Sequence, residues 1–288
     1  MYDKKVVAMM FDVIESRRYN KRYDVQQVLM ESVGYLNYLY SDLIKKEVVA
    51  SAGDEFQGLF YDLQSAFLYV RKLQLLVYPI KLRCGIGEGL IKYDNQSWLS
   101  TAFDGEAYYL CRDAINAIPK RKSSTICFNT ASQSDKYLNM FCMSAVELKT
   151  RQSQVARLIE MIADIILPIR KTKKDESIKF YSFLLNERMR LIESESWNKI
   201  MGSYREINPL NIDLNCLFEM ASTIEPPEIF GNPLFMEDYW EHGMSTQIAR
   251  IMDTTRQNVD RYVSLGKIKE SRTMDKALYD FLGEKKKK

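Results

Sequence analysis

The stretch that most limits the possible folds of this chain is "EVVASAGDEFQGLFY" at residues 47–61. Two apolar segments of strand length flank a short turn in which Gly53 is free to take a positive φ. The neighbouring segments, 24–46 and 62–78, repeat apolar residues at helical spacing, and Asp62 is a candidate N-cap for the second. The sequence therefore predicts a β-hairpin between two amphipathic helices.

Further strands are predicted on both sides of this hairpin. Residues 4–13 form an apolar run of strand length, and residues 80–91 form another with small residues along it. A third helix is predicted over 104–118 and a short strand over 124–129. The order strand, helix, hairpin, helix, strand, helix, strand, joined by right-handed crossovers, predicts an α+β, ferredoxin-like sheet with its helices on one face.

Two carboxylates meet in that arrangement, because the end of the first strand and the tip of the hairpin lie side by side. Asp12 is on the first and Asp54 on the second. Such a pair repels unless a cation lies between its members. We expect a divalent-metal site with Mg²⁺ (or Mn²⁺), because Mg²⁺ is satisfied by one or two protein carboxylates plus substrate phosphates. Taken singly, Asp12 also suits a strand-end cap, and Asp54–Glu55 also suits a plain hairpin turn.

Four motifs follow one another over residues 4–128: "MMFDVIES", "AGDEF", "LRCGIGEG" and "DGEAYYLCRDA". They resemble the catalytic core shared by class III nucleotidyl cyclases, diguanylate (GGDEF) cyclases and polymerase palm domains. More closely, the chain resembles the SatD family, small bacterial proteins in which such a palm-like half is followed by a helix-turn-helix.

The resemblance implies a nucleotide site in which a ribose hydroxyl attacks the α-phosphate of a nucleoside triphosphate. Asp12 and Asp54 would hold the metal together with the carbonyl of Val13, and Arg112 would steady the transition-state phosphate. Enzymes of the cyclase class build their sites across a dimer, so a homodimer is expected. The further candidates for cofactor or nucleotide contacts are Gly53, Glu55, Arg83 and Tyr109.

The sequence departs from the cyclase pattern at three places. Ala50 stands where many adenylyl cyclases carry a base-reading lysine, and Arg112 comes one position earlier relative to Gly105 than in cyclases. The cyclase asparagine has no clear counterpart. The nearest positions are Tyr108 and Tyr109, which could stack on a base but are equally typical of a core. These departures weaken cyclisation more than metal and phosphate binding.

The second half of the chain is predicted to be helical. Amphipathic segments of helix length cover 153–167 and 178–196. Loop-forming sequences mark boundaries that divide the chain into a palm-like domain at 1–144, a helical linker region at 145–235 and a third domain at 236–288.

This third domain carries the pattern of a helix-turn-helix at 245–267. Asp253 stands where the turn usually has glycine, a tolerable change because Asp visits the left-handed region. Four residues occupy the expected core positions: Ile248, Ala249, Met252 and Val259. The second helix presents side chains that pair with base edges or phosphates: Thr255, Arg256, Gln257, Asn258 and Arg261.

Charge agrees with a polyanion partner for the segment 245–288, which holds 11 Lys and Arg against 6 Asp and Glu, a net charge of +5 that includes the terminal Lys285–Lys288. Binding of DNA or RNA is therefore predicted, and a helical hairpin used for protein contacts is the alternative.

Composition excludes several other classes of site. The single histidine and five cysteines without a CxxC motif leave no zinc constellation and no Ser-His-Asp triad. No apolar stretch approaches the roughly 18 residues of a membrane span, so we expect a cytoplasmic protein with no membrane partner.

Two functions remain from different classes. The first is a metal-dependent nucleotide-binding protein, which as an enzyme would be a nucleotidyl cyclase or nucleotidyltransferase that releases pyrophosphate. The alternative is a DNA-binding transcriptional regulator whose palm-like domain is a non-catalytic ligand sensor or dimerisation module. A scaffold with neither activity is a third possibility.

Overall fold

The computed structural model describes residues 5–92, 99–118, 125–170, 176–194, 211–221 and 236–284. These residues form an α+β structure with one five-stranded mixed sheet and ten α-helices. The strands are β1 (Val6–Val13), β2 (Ile44–Ala52), β3 (Glu55–Phe60), β4 (Leu82–Gly89) and β5 (Thr125–Asn129). The helices are α1 (Arg22–Leu39), α2 (Leu63–Leu76), α3 (Glu106–Ala117), α4 (Asp135–Thr150), α5 (Gln154–Ile166), α6 (Ile178–Ser194), α7 (Leu214–Ala221), α8 (Met244–Ile251), α9 (Arg256–Leu265) and α10 (Ile268–Glu284).

The described residues form two compact units. One contains those of Met1–Val146 and Leu278–Lys288, and the other contains those of Glu147–Ala277. The division into a palm-like domain at 1–144, a helical linker region at 145–235 and a third domain at 236–288 remains a prediction. Among the described residues, no helix is long and apolar enough to cross a membrane.

The sheet of the first unit has the strand order β2-β3-β1-β4-β5. β1 is antiparallel to both of its neighbours, and β5 is parallel to β4. The order of elements predicted for residues 4–129 is confirmed. The predicted hairpin is also confirmed, since Ala52 pairs with Glu55 across a two-residue loop in which Gly53 has a φ of +60°. A glycine with positive φ at the first loop position is typical of a type II′ turn.

The ends of the first two helices differ in how well the sequence predicts them. α2 begins as expected, because Asp62 accepts a hydrogen bond at 2.8 Å from the backbone N–H of Ser65. The helix predicted over 24–46 is too long, since α1 ends at Leu39 and β2 begins at Ile44. Apolar residues continue through this junction, so their spacing alone does not locate the change from helix to strand.

The helices cover both faces of the sheet, which corrects the expectation of one covered face. The ring of Tyr69 in α2 packs edge-on against that of Phe60, with 5.4 Å between the ring centroids. Phe60 lies opposite Val7 in the β1–β3 ladder. Alternate residues of a strand point to opposite faces. The other face of β1 packs on α3 in a cluster that includes Val6, Ala8, Met10, Ala107, Cys111 and Ile115. β1 is apolar at nearly every position because it is buried on both sides.

Close packing of α3 depends on glycines in β4. A Cβ placed on Gly85 would lie 2.7 Å from the backbone nitrogen of Ile115. On Gly87 it would lie 2.5 Å from the carbonyl oxygen of Ala107. Both separations are shorter than a van der Waals contact, so only glycine lets the helix approach β4 this closely.

The second unit is organised around α5, whose residues are all buried. Helices α7, α8 and α9 pack against it. The predicted N-terminus of α5 is confirmed, since Ser153 Oγ accepts a hydrogen bond at 3.2 Å from the N–H of Ala156. α6 matches the helix predicted over 178–196 up to Ser194, and the last two residues of that prediction lie outside the described residues.

Buried charged side chains of α5 and α10 form hydrogen bonds with polar groups of the other segment. Ser271 Oγ donates a hydrogen bond at 2.8 Å to Glu160, which is fully buried. The guanidinium of Arg272 donates to the carbonyl of Leu167 at 2.5 Å. These hydrogen bonds compensate part of the desolvation of charged side chains in the core of this unit.

Candidate functional site

Charged side chains from four elements converge at one end of the sheet. Asp12 is paired with Arg83 in the β1–β4 ladder, and the β1–β3 ladder, which pairs Phe11 with Phe56, would next bring Asp12 opposite Glu55. Because side chains alternate, Asp12 and Glu55 face the side of the sheet that α3 covers. Arg112 of α3 reaches the same place. We call this set the edge cluster: Asp12, Asp54, Glu55, Arg83 and Arg112.

The Asp12–Arg83 ion pair is the best-formed contact of the edge cluster. Arg83 Nε lies 2.6 Å from Asp12 Oδ1 and 2.9 Å from Oδ2, and Arg83 Nη2 lies 2.6 Å from Oδ2. The Asp12 side chain is 18% exposed and that of Arg83 39%. A bidentate, charge-assisted pair with this geometry is stronger than a single hydrogen bond and orients both side chains.

Glu55 makes looser contacts at the other side of the edge cluster. Arg112 Nη2 lies 3.5 Å from Glu55 Oε1, and both side chains are substantially exposed. Ser51 Oγ donates at 3.2 Å to the same carboxylate oxygen and at 3.2 Å to the backbone carbonyl of Glu55. Ser51 is not among the residues predicted for the site. Its place on the strand before the hairpin, close to the turn that carries Asp54, was the available signal.

The electrostatics of the edge cluster centre on Arg83. Its hydrogen bonds with Asp12 raise the pKa of the Arg83 guanidinium above its ordinary value. Attraction from the charges of Asp12, Asp54 and Glu55 raises that pKa further, and partial burial acts in the opposite direction. All three carboxylates therefore attract Arg83, and Glu55 also pairs with Arg112.

A divalent ion shared by Asp12 and Asp54 does not fit the side chains as they are arranged. Both carboxylate oxygens of Asp12 are bonded to Arg83. In the described part of the chain, no group of three or more His, Cys, Asp or Glu side chains is positioned to hold a metal ion. The backbone carbonyl of Val13 is better placed for a metal ion. The N–H of Ile14 donates to the carbonyl of Lys81 beside β4, and because successive residues of a strand alternate in direction, the carbonyl of Val13 points toward the hairpin. A metal role for Asp12, Val13 and Asp54 stays a prediction.

The predicted tyrosines lie apart from these contacts. Tyr109 is exposed at the start of α3, where its hydroxyl donates to Asp104 at 3.0 Å and accepts from Lys92 Nζ at 3.2 Å. Tyr108 is buried in the core beneath α3, and its hydroxyl donates to the carbonyl of Ser100 at 2.8 Å. A nucleotide-stacking role for Tyr109 stays a prediction.

The second candidate site consists of α8 and α9, which pack against each other in the second unit. The four predicted core residues Ile248, Ala249, Met252 and Val259 are all buried. The turn between the helices has the left-handed residue expected at Asp253, with a φ of +48°. The N–H of Thr254 donates to the carbonyl of Ala249 at 2.9 Å and closes that turn.

Two of the five predicted nucleic-acid-binding residues also organise the start of α9. Thr255 is its N-cap and accepts a hydrogen bond at 3.2 Å from the N–H of Asn258. The side-chain amide of Asn258 donates to Thr254 Oγ1 at 3.3 Å, and Asn258 is half-buried. Local hydrogen bonds of this kind are typical of residues that begin a helix.

The other three residues are exposed along α9, and we call them the α9 face: Arg256, Gln257 and Arg261. Arg256 forms an exposed ion pair at 3.3 Å with Asp260, one helical turn further on. The guanidinium of Arg261 lies over the ring of Tyr262, 5.0 Å from its centroid. Exposed arginines one or two turns apart suit contacts with phosphates or with base edges.

Comparison with protein families gives a match that covers more than half of the chain. The model of the SatD family matches residues 6–203, which include the whole sheet and the helices from α1 to α6. Helices α8 and α9 lie beyond the matched residues. A search of curated proteins found no match to this chain.

Proposed function

This chain belongs to the SatD family, and we propose that it is a nucleic-acid-binding regulator. In this proposal α8 and α9 form a helix-turn-helix, and the sheet belongs to a ferredoxin-like, palm-related domain that senses a ligand without catalysis. The observation that carries the proposal is the α9 face, three polar or cationic side chains that point to solvent from a helix whose opposite side is buried.

The geometry of the helix pair supports the first half of the proposal. The short, closed turn holds α9 at a defined angle to α8, and the N-cap at Thr255 begins α9 with its first turn exposed. Recognition helices contact base edges mainly through residues near their N-terminus. Arg256 and Gln257, the first two residues of α9, have the side chains needed for guanine and adenine edges respectively.

The strand order supports the palm-related half. β2-β3-β1-β4, with α1 and α2 as crossovers, is the order of a ferredoxin-like sheet. The bidentate Asp12–Arg83 pair favours a non-catalytic role, because it occupies the carboxylate that the catalytic interpretation assigns to a metal ion. Regulators with a helix-turn-helix commonly bind paired half-sites as dimers, so we propose a homodimer as well.

The proposal is tested by selection from a pool of randomised DNA duplexes with the full-length chain, followed by fluorescence anisotropy on the enriched duplex. We expect a family of related duplexes to be enriched. Gln257→Ala should lower the preference for the enriched over a scrambled duplex, because it removes a base-reading side chain. The matched control is Gln133→Ala, an exposed glutamine outside α8 and α9. No enrichment, with no duplex bound at low salt, would contradict the proposal.

A second candidate function is nucleotidyl transfer, which the convergence of Asp12, Glu55 and Arg112 at one end of a palm-like sheet favours. Incubation with each labelled nucleoside triphosphate and Mg²⁺ or Mn²⁺, followed by mass spectrometry, tests it. A cyclic or oligomeric nucleotide formed by the wild type and absent with Asp54→Asn would establish the enzyme. The absence of any product from folded, dimeric protein would leave the regulator.

A further inference from the structure

The carboxylates of the edge cluster need positive charge nearby, and Arg83 is the cation that lies closest to one of them. Asp12 is bonded to the guanidinium of Arg83 through both carboxylate oxygens, and the charges of Asp54 and Glu55 at the same end of the sheet also attract that guanidinium. Arg112, the other cation of the cluster, contacts Glu55 at the longer distance of 3.5 Å. Arg83 is therefore the cation in direct contact with Asp12, the residue that the sequence assigns to a metal ion.

We propose that the guanidinium of Arg83 occupies the place beside Asp12 that a divalent metal ion would take, and that it excludes such an ion. Arg83 is the residue that determines this specificity. It is placed opposite Asp12 by the β1–β4 register, and both acceptor oxygens of Asp12 face it.

Competition explains why the arginine prevails. A guanidinium is always charged and forms the two parallel hydrogen bonds that match a carboxylate. Mg²⁺ binds weakly to one or two protein carboxylates and gives up its water reluctantly. An ion from solution would have to break the bidentate pair and leave Arg83 beside a second cation. Removal of Arg83 would make the edge cluster more negative and would release both carboxylate oxygens of Asp12 from this partner.

This inference deepens the non-catalytic half of the proposed function and does not depend on nucleic-acid contacts by α9. The two fail separately, because a metal titration says nothing about DNA affinity and an anisotropy measurement says nothing about the edge cluster.

Titration of metal-stripped, full-length protein with Mn²⁺, followed by electron paramagnetic resonance of the free ion, tests the inference. Wild type should show no Mn²⁺ site that depends on Asp12. Arg83→Gln should gain one site, at least about tenfold tighter than any in wild type, because a positive charge in contact with the carboxylate is removed. Adding Asp12→Asn to Arg83→Gln should abolish that site.

Matched variants separate the role of Arg83 from a general loss of positive charge. Arg112→Gln removes the other guanidinium of the edge cluster and should leave Mn²⁺ binding as in wild type. Arg83→Met keeps the length of the aliphatic stem and serves if Arg83→Gln does not fold. Asp12-dependent binding of Mn²⁺ by wild type would overturn the inference. So would a gain of affinity in Arg112→Gln equal to that in Arg83→Gln, or no gain in a folded Arg83 variant.

Discussion

The edge cluster and the α9 face use charged residues in opposite ways. In the edge cluster, Asp12 and Arg83 are partly buried and bound to each other through three close N···O contacts. On the α9 face, Arg256 is 65% exposed and its partner Asp260 is 49% exposed. The partners in a partly buried bidentate ion pair are not readily displaced by a ligand from solution. An exposed ion pair contributes little free energy, so a phosphate readily replaces one of its partners.

This difference indicates which region meets a partner from solution. The edge cluster contains the ion pairs Asp12–Arg83 and Glu55–Arg112, so a ligand there must compete with contacts that already exist. The α9 face presents its polar side chains to water over a buried apolar side that includes Val259 and Val263. An internal ion pair is typical of a structural or sensing role. An exposed basic surface is typical of a site that binds a polyanion.

The largest expected effect comes from the glycine that lets α3 bring Arg112 to the sheet. In Gly87→Ala, the new methyl group would overlap the backbone of Cys111 and Ala107. We expect a loss of at least about 3 kcal/mol in the free energy of unfolding, measured by urea denaturation. Gly34→Ala in α1 is the matched control, since nothing lies within 4 Å of its Cβ position. That variant should gain about 0.5–1 kcal/mol. Equal stability of the two variants would contradict the close packing of α3.

The next effect concerns DNA affinity and its salt dependence. Replacing Arg256 and Arg261 together by Ala should lower affinity for the enriched duplex about tenfold and reduce the slope of log K against log salt by about 2. The control replaces Arg151 and Arg190, two exposed arginines that also form ion pairs within one helical turn. Fluorescence anisotropy over a series of salt concentrations measures both quantities. The same loss in the control pair would show that overall charge, and not the α9 face, drives binding.

A smaller effect distinguishes the two ion pairs of the edge cluster. A double-mutant cycle of Asp12→Asn and Arg83→Gln should give a coupling energy of about 1 kcal/mol, reduced from that of a buried pair because Arg83 is partly exposed. The cycle of Glu55→Gln and Arg112→Gln should give about 0–0.5 kcal/mol, since that contact is longer and more exposed. Urea denaturation of the wild type and the six variants supplies the values. A larger coupling for the second pair would reverse the assignment of Arg83 as the main cation.

The smallest effect is the pH dependence of the exposed Lys92–Asp104 pair. The hydrogen bond from Lys92, and that from Tyr109, lower the pKa of Asp104 in the folded state. Its contribution to stability is therefore present above the unfolded pKa, about 4, and is lost as the pH falls through the lower folded value. Asp104→Asn should lower the urea midpoint slightly at about pH 7 and not at all at about pH 2. The same difference at both pH values would mean that the charge of Asp104 does not matter.

Much of the sheet and of the α8–α9 pair is predictable from the sequence, because their signals are local. The Gly53 turn, the N-cap at Asp62 and the left-handed residue at Asp253 each act within a few residues of the chain. Apolar spacing likewise locates the buried side of α9. Helices α4, α7 and α10 were not predicted. The buried side of α10 includes Ser271 and Arg272. Burial of such polar residues is predictable only when their hydrogen-bond partners in and next to α5 are known.

The candidate site shows the same limit. The approach of Asp12 to the hairpin follows from the predicted topology, since neighbouring strands bring their ends together. The identity of the cation does not follow from it, because Arg83 becomes the partner of Asp12 only through the register of β4 against β1. The glycines of β4 hide the alternation of apolar and polar side chains in its sequence. Their packing against α3 on the second face of the sheet was not predicted. Long-range register and the choice of face therefore decide what local patterns leave open.

The central claim is that α9 contacts nucleic acid, and site-directed photo-crosslinking tests it most directly. A photo-crosslinking amino acid would replace Gln257 in the full-length chain, and the control would carry it at Tyr137, which is 62% exposed on α4. The account predicts covalent transfer of the enriched, labelled duplex to the chain substituted at 257 and little transfer at 137. Equal crosslinking at both positions, or none at 257 while the duplex remains bound, would contradict it.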